Sequence, residues 1–106
     1  MRYRIVITPR IAPDAEADLR NAYSYIRRDN LRAARAWLKG LRQRIKTLVQ
    51  FPERCNRAPE SASFNEPIRE LFYGSGNRGT YRVLFVVLEK TVFVLHVRHG
   101  AMLPFL

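Results

Sequence analysis

The stretch from Ile68 to Gly100, IRELFYGSGNRGTYRVLFVVLEKTVFVLHVRHG, constrains the fold more than any other part of this chain. Three runs rich in β-branched and aromatic residues are separated by two turn signals. The first is Gly74–Gly79, where three glycines admit backbone angles that other residues avoid. The second is Glu89-Lys90, two residues between long apolar runs, the length of a tight hairpin. The pattern predicts strands at about Ile68–Tyr73, Thr80–Leu88 and Thr91–Val97 in an antiparallel meander. The two later strands are almost continuously apolar, which predicts burial on both faces. Polar chemistry gathers where they start and end: Arg82, directly after Tyr81, then His96, Arg98 and His99.

The chain upstream supplies what covers such a sheet. Tyr3–Thr8 alternates as a short strand, and Pro9 is expected to end it because proline cannot donate to a ladder. A helix is expected from Pro13 or Asp14, with Asp14, Glu16 and Asp18 near its positive end and Arg27 and Arg28 in its last turn. Ala15, Leu19, Ala22, Tyr23 and Ile26 form its apolar face. Asp29-Asn30 breaks that helix and caps a second, about Leu31 to Gln50. Here the apolar stripe is Ala34, Leu38, Leu41, Ile45 and Leu48, with Trp37 and Val49 at its margins. The outer surface carries Arg32, Arg35, Lys39, Arg42, Arg44 and Lys46 and no acid. Gly40 marks a weak point or the close approach of another element. So short a link makes the helices an antiparallel hairpin. Phe51-Pro52 ends the second helix, and the mostly polar Glu53–Pro67 is expected to be a loop returning the chain to the sheet. The expected fold is α+β in the order β-α-α-β-β-β, a meander sheet packed against a helical hairpin, one domain over 1–106. The apolar tail Ala101–Leu106 is expected to fold back onto the core or a partner.

Charge narrows the function. Lys plus Arg number 19 against 9 Asp plus Glu, a formal net charge of +10. Such a chain is drawn to polyanions: nucleic acid, a nucleoprotein machine or an acidic protein. The lone cysteine, Cys55, permits no intrachain disulfide and no cysteine-rich zinc site, and a reducing cytoplasmic setting fits. The apolar run Ile5–Ile7 is too short for a signal peptide, and no stretch approaches a membrane span. The two histidines and scattered acids lack metal-ligand spacing, no glycine-rich phosphate loop opens a helix, and no cofactor is expected.

Several of these pieces resemble the RelE/ParE superfamily of toxins from type II toxin–antitoxin systems. Ala17-Asp18-Leu19 with Tyr25-Ile26 is similar to that family's first helix. Phe51-Pro52 resembles the close of its second. Ile68-Arg69-Glu70-Leu71 is similar to the first strand of its meander. Tyr81–Val87 looks like its YRhhYxV strand (h, an apolar residue), and Val94–Gly100 resembles the closing strand of ParE-type, plasmid-stabilisation members. The resemblance covers about residues 3 to 100. It implies a toxin neutralised by a cognate acidic antitoxin in a hetero-oligomer. It also implies one of two activities: RelE-type cleavage of messenger RNA on the ribosome, or ParE-type binding associated with poisoning of DNA gyrase.

For RelE-type cleavage the resemblance offers Arg82, to stabilise charge on the cleaved phosphate, and His99, as general acid or base. The competing reading of Arg82 is a structural arginine paired to an acid such as Glu70. His96, three residues before His99, is expected on the opposite face of the strand. RelE-like nucleases commonly add a basic residue and a tyrosine just after the last strand, where this chain has Gly100-Ala101-Met102. That depleted set favours the ParE branch. For contact with target or antitoxin the expected residues are Arg32, Arg35, Lys39, Arg42 and Lys46 on the second helix, with Arg69, Tyr81 and Arg98 on the strands. A non-toxic basic nucleic-acid-binding module is the remaining alternative.

Overall fold

Helix α1 runs Pro13–Asp29 and α2 runs Leu31–Lys46 in a computed structural model that describes residues 9–74 and 79–100. Proline stands in the first turn of α1 with Asp14 and Glu16, and Arg27 and Arg28 close it. This arrangement complements the helix dipole at both ends. Asn30 serves both helices. Its backbone N–H donates to Ile26 O at 3.0 Å, and its side-chain oxygen accepts from Ala33 N at 3.0 Å. One extended residue therefore ends one helix and caps the next, which forces the hairpin.

Strands β2 (Arg69–Tyr73), β3 (Tyr81–Leu88) and β4 (Thr91–His99) form the expected antiparallel meander. The turn Glu89-Lys90 places both residues at positive φ, 49° and 66°, the mirror-image hairpin turn that matches strand twist. The sheet is mixed, not purely a meander. A two-residue strand β1 (Arg10–Ile11) lies parallel to β4, giving the order β1-β4-β3-β2. Pairing begins directly after Pro9, and β1 needs no donor from that residue. Ala12 N then donates to Val94 O at 2.9 Å. The expected strand Tyr3–Thr8 and the tail Ala101–Leu106 lie outside the described residues.

The helical hairpin covers one face of the sheet. Leu19, Leu41, Leu48, Val83, Phe85 and Val94 are fully enclosed there. Along α2 the buried residues are Ala34, Trp37, Leu41 and Ile45. Trp37, expected at the margin of the stripe, is in the core, and Leu38 is turned toward α1. The second helix is also shorter than expected: its α-helical turns stop at Lys46, and Thr47–Val49 tightens into a 3-10 turn. Gly40 is a place of close approach, as expected. A Cβ there would collide with the Tyr73 hydroxyl of β2, which donates to Trp37 O at 3.0 Å.

The segment Glu53–Pro67 covers the other face of the sheet, and it is not a plain loop. It contains the end of one 3-10 turn, Pro52–Arg54, and all of another, Pro59–Ser63. Ala58 packs with Ile68, Leu84 and Val86 as a second small core. Tyr81 through Val86 are consequently buried without interruption, which accounts for the unbroken apolar run of β3.

Candidate functional site

Two places gather the residues singled out from sequence. The first is the end of the sheet. Tyr81 and His99 are register partners, and their rings meet edge to face at 5.1 Å between centroids. Trp37 also packs edge to face on Tyr81, at 5.1 Å between centroids. His99 is thus held on the helix-covered face. Its Nε2 stands so close to Gly79, at φ +75°, that a Cβ there would come within 2.9 Å of it.

Arg82 turns the other way. Its Nη2 donates to Glu60 Oε1 at 2.6 Å, and its Nε donates to Glu70 Oε1 at 2.9 Å. Arg82 is 7% exposed and Glu60 wholly enclosed. The Glu60 hydrogen bond raises the Arg82 pKa above its ordinary value, against the opposing effect of burial, and the Glu70 hydrogen bond adds to the rise. The guanidinium is engaged by two carboxylates, one from the covering segment and one from β2. Glu70 was legible as a partner; Glu60 was not, because an acid in a polar stretch carries no sign of burial. Arg98 is the register partner of Arg82 and is half-buried.

Arg69 is turned to structure as well. Its Nη1 donates to Cys55 O at 2.7 Å, tying the covering segment to β2. Cys55 itself is buried; burial raises its thiol pKa, against the pull of Arg54, Arg44 and Arg69. His96 stands with Nδ1 3.3 Å from Asp18 Oδ2, and the same oxygen accepts from Val97 N at 2.9 Å. Asp18 therefore satisfies the β4 backbone beyond the reach of β1.

The second place is the outer groove between the helices, a hollow of about 460 Å³. Tyr23 and Leu38 form its apolar floor, and Arg35, Lys39, Arg42 and Lys46 its basic side. Four of the five basic residues expected on α2 are brought together here. Arg32 lies one turn beyond, exposed. The spacing explains the gathering: residues three and four apart share one face of a helix. Arg42 Nη2 reaches Glu16 Oε1 of α1 at 3.4 Å, both side chains well exposed, so the pair adds little stability. Arg69, Tyr81 and Arg98 are not part of this groove. Tyr23 and Leu38 pack against the core, as their place on the apolar faces implied, and also form the floor of the groove, which the sequence did not indicate.

The groove pairs an apolar floor with a row of cations, the pattern that an amphipathic, acidic segment complements. Apolar side chains have a floor to cover, and carboxylates have cations at helical spacing beside it. Among the described residues no cluster of three or more His, Cys, Asp or Glu is placed to hold a metal. Among the same residues no helix is long and apolar enough to cross a membrane.

Comparison with known proteins gives two findings. The model of a family described as the ParE toxin of type II toxin–antitoxin system, parDE, matches residues 10–104. Among solved structures the chain is similar to one titled "Chromosomal ParDE TA system from P. aeruginosa", with a TM-score of 0.66 and 19% identity over 89% of this chain and 96% of that one. At that identity the likeness speaks for the fold. No curated protein matches the chain.

Proposed function

The chain belongs to the ParE toxin family of type II toxin–antitoxin systems, and from that premise we propose that it acts by binding an intracellular target and is neutralised by a cognate acidic antitoxin. DNA gyrase is the target that the family resemblance implies, and the cytoplasm is where it would be met. One solved structure that the chain resembles is of a ParDE system, which supports a ParD-type partner.

One observation carries the choice of binding over cleavage. Arg82, the residue best placed by sequence to stabilise a cleaved phosphate, is enclosed and shared between Glu60 and Glu70. To meet a phosphate it would have to leave two carboxylates, one of them wholly buried, and stranding a buried charge costs several kcal/mol, about 3–5. A binding protein has no such conflict, since Arg82 then holds the covering segment on the sheet. The antitoxin reading rests on the groove between α1 and α2, where an acidic segment that folds on binding finds both an apolar floor and a row of cations.

The test is expression without the partner, with three readouts. Growth arrest with a DNA-damage response, together with inhibition of purified gyrase supercoiling, is the expected result. Codon-periodic cleavage of translated messages by primer extension would place the activity with RelE-type nucleases. Harmless expression would leave a nucleic-acid-binding module with no toxicity.

A further inference from the structure

Helix α2 carries a row of positive charge that extends past the groove to Arg32. Its 16 residues contain no acid. At about 100° per residue, Arg32, Arg35, Lys39, Arg42 and Lys46 fall within an arc of about 80°. Their spacing of three, four, three and four residues makes a straight row roughly 21 Å long. Arg42 is drawn to Glu16 at 3.4 Å. Among the described residues no carboxylate lies within ion-pair distance of Arg32, Arg35, Lys39 or Lys46, and all four are exposed. Ala36 and Gln43, both exposed, complete the same face. Ala36 is short enough to let a backbone come close, and Gln43 adds no charge.

We propose that this row is a binding surface for the phosphate backbone of duplex DNA, with Arg32, Arg35, Lys39 and Lys46 as its contacts. A duplex presents one negative charge per roughly 1.7 Å of axis, so a rigid row of this length meets a dense line of phosphates. The row on α2 carries no aromatic residue of its own, and the nearest ring in the groove, Tyr23 of α1, is half-buried on the floor. Surfaces for single strands rely on rings on which bases stack, so the duplex is the better fit. The row reads charge and spacing, so binding is independent of base sequence. This goes beyond the toxin reading. It also has a consequence for it: an acidic segment in the groove covers Arg35, Lys39 and Lys46, so partner and duplex exclude one another.

The test is fluorescence anisotropy of a labelled 20-base-pair duplex of arbitrary sequence, titrated with the full chain from about 50 to 200 mM salt. Four contacts predict that log K falls linearly with log salt at a slope of about −4. The triple variant Arg32→Glu, Arg35→Glu, Lys39→Glu should bring that slope toward −1, each lost cation removing about one unit. A control with the same change of charge, Arg10→Glu, Arg57→Glu, Lys90→Glu, all exposed and off the row, should keep most of the affinity and the slope. Circular dichroism confirms that both variants fold. The proposal is overturned if the control weakens binding as much as the row variant, if no binding appears at the lowest salt, or if a single strand of the same length binds more tightly than the duplex.

Discussion

Arg82 and His99 lie on opposite faces of the sheet. His99 packs against the Tyr81 ring, on the side covered by the helices, while Arg82 is held by Glu60 on the side covered by the segment after α2. Tyr81 and Arg82 are neighbours in one strand, and side chains alternate along a strand. Phosphoester cleavage needs the charge stabiliser and the proton-transfer group within about 3 Å of the same reacting atoms. A sheet between them prevents that convergence. The two residues that would make this chain a nuclease are separated by its own hydrogen-bonded core.

The first prediction separates the roles of these two residues. Arg82→Ala leaves Glu60 enclosed without its cation, and breaking a buried pair from one side costs about 3–5 kcal/mol. The variant should melt far below the parent, and any lost growth inhibition should follow lost folding. His99→Gln keeps the shape and most of the hydrogen bonding, so both melting and growth inhibition should stay near the parent. A His99→Gln protein that melts normally yet is harmless would count decisively against action by binding.

Gly40 gives a second prediction. Replacing an interior helical glycine by alanine ordinarily stabilises a helix by about 0.5–1 kcal/mol. Here the new Cβ meets the Tyr73 hydroxyl, so Gly40→Ala should destabilise, by about 1–3 kcal/mol as overpacking does. Tyr73→Phe removes the obstructing oxygen together with its hydrogen bond to Trp37 O. In the double variant the two losses should be clearly less than additive. Additive losses in urea midpoints would show that the two residues do not touch.

How far the sequence could be read follows the range of the interactions. Helix limits near Pro13 and Asn30, the Glu89-Lys90 hairpin and the Glu70 partner of Arg82 are set by neighbours in the chain or by adjacent strands, and all were legible. The parallel strand Arg10–Ile11 was not. Two residues carry no periodicity, and their pairing with Phe93 and Val94 exists only once the helices have returned the chain. Trp37 and Leu38 exchanged roles for a similar reason. A one-residue rotation of α2 is decided by what packs on it, here Tyr73 and Tyr81 against the Trp37 ring. Of the candidate site, the basic row was visible as composition. Its apolar floor depends on which side of α2 meets α1, and Glu60 depends on how the covering segment lies.

The hairpin turn supports a third prediction. Glu89 and Lys90 both occupy left-handed backbone, where a side chain costs about 1–2 kcal/mol per residue relative to glycine. Replacing them by Asn-Gly, the pair preferred in this turn, should raise stability by about 1–2 kcal/mol, read as a higher denaturant midpoint at unchanged slope. The turn is exposed and lies away from the α1–α2 groove, so growth inhibition should not change. An unchanged or lowered midpoint would show that the turn is unstrained.

The fourth prediction is a loss of stability at alkaline pH. Burial raises the Tyr73 pKa above 10.0 and the Cys55 pKa above 9.0. For an acid raised in the fold, the unfolded chain loses its proton first as pH rises, so it binds fewer protons and stability falls. The decline should begin near pH 9.0 with Cys55 and steepen past pH 10.0 with Tyr73. Cys55→Ala should remove the early part and Tyr73→Phe the later part, seen in urea midpoints taken across that range. If neither variant flattens the decline, these two groups are not its source.

The last prediction concerns the groove. Tyr23 and Leu38 supply apolar contact, and Arg35, Lys39, Arg42 and Lys46 supply charge, and the two parts should affect an acidic partner differently. Lys39→Glu with Lys46→Glu changes the long-range field. It should slow association by roughly tenfold or more at low salt, with the difference shrinking as salt rises, because exposed charges steer encounter and are screened. Leu38→Ala removes a half-buried apolar side chain that packs on the core and whose open side a bound partner would cover. It should leave association almost unchanged and speed dissociation, since packing at the centre of an interface acts chiefly on the off-rate. Surface plasmon resonance with an acidic, ParD-type antitoxin separates the two rates. Lys39 and Lys46 are exposed and Leu38 is half-buried against the core, so melting checks that each variant keeps the fold. If Leu38→Ala and the charge reversal alter the same rate with the same salt dependence, the partner is held by general attraction to a basic protein and the groove is not its seat.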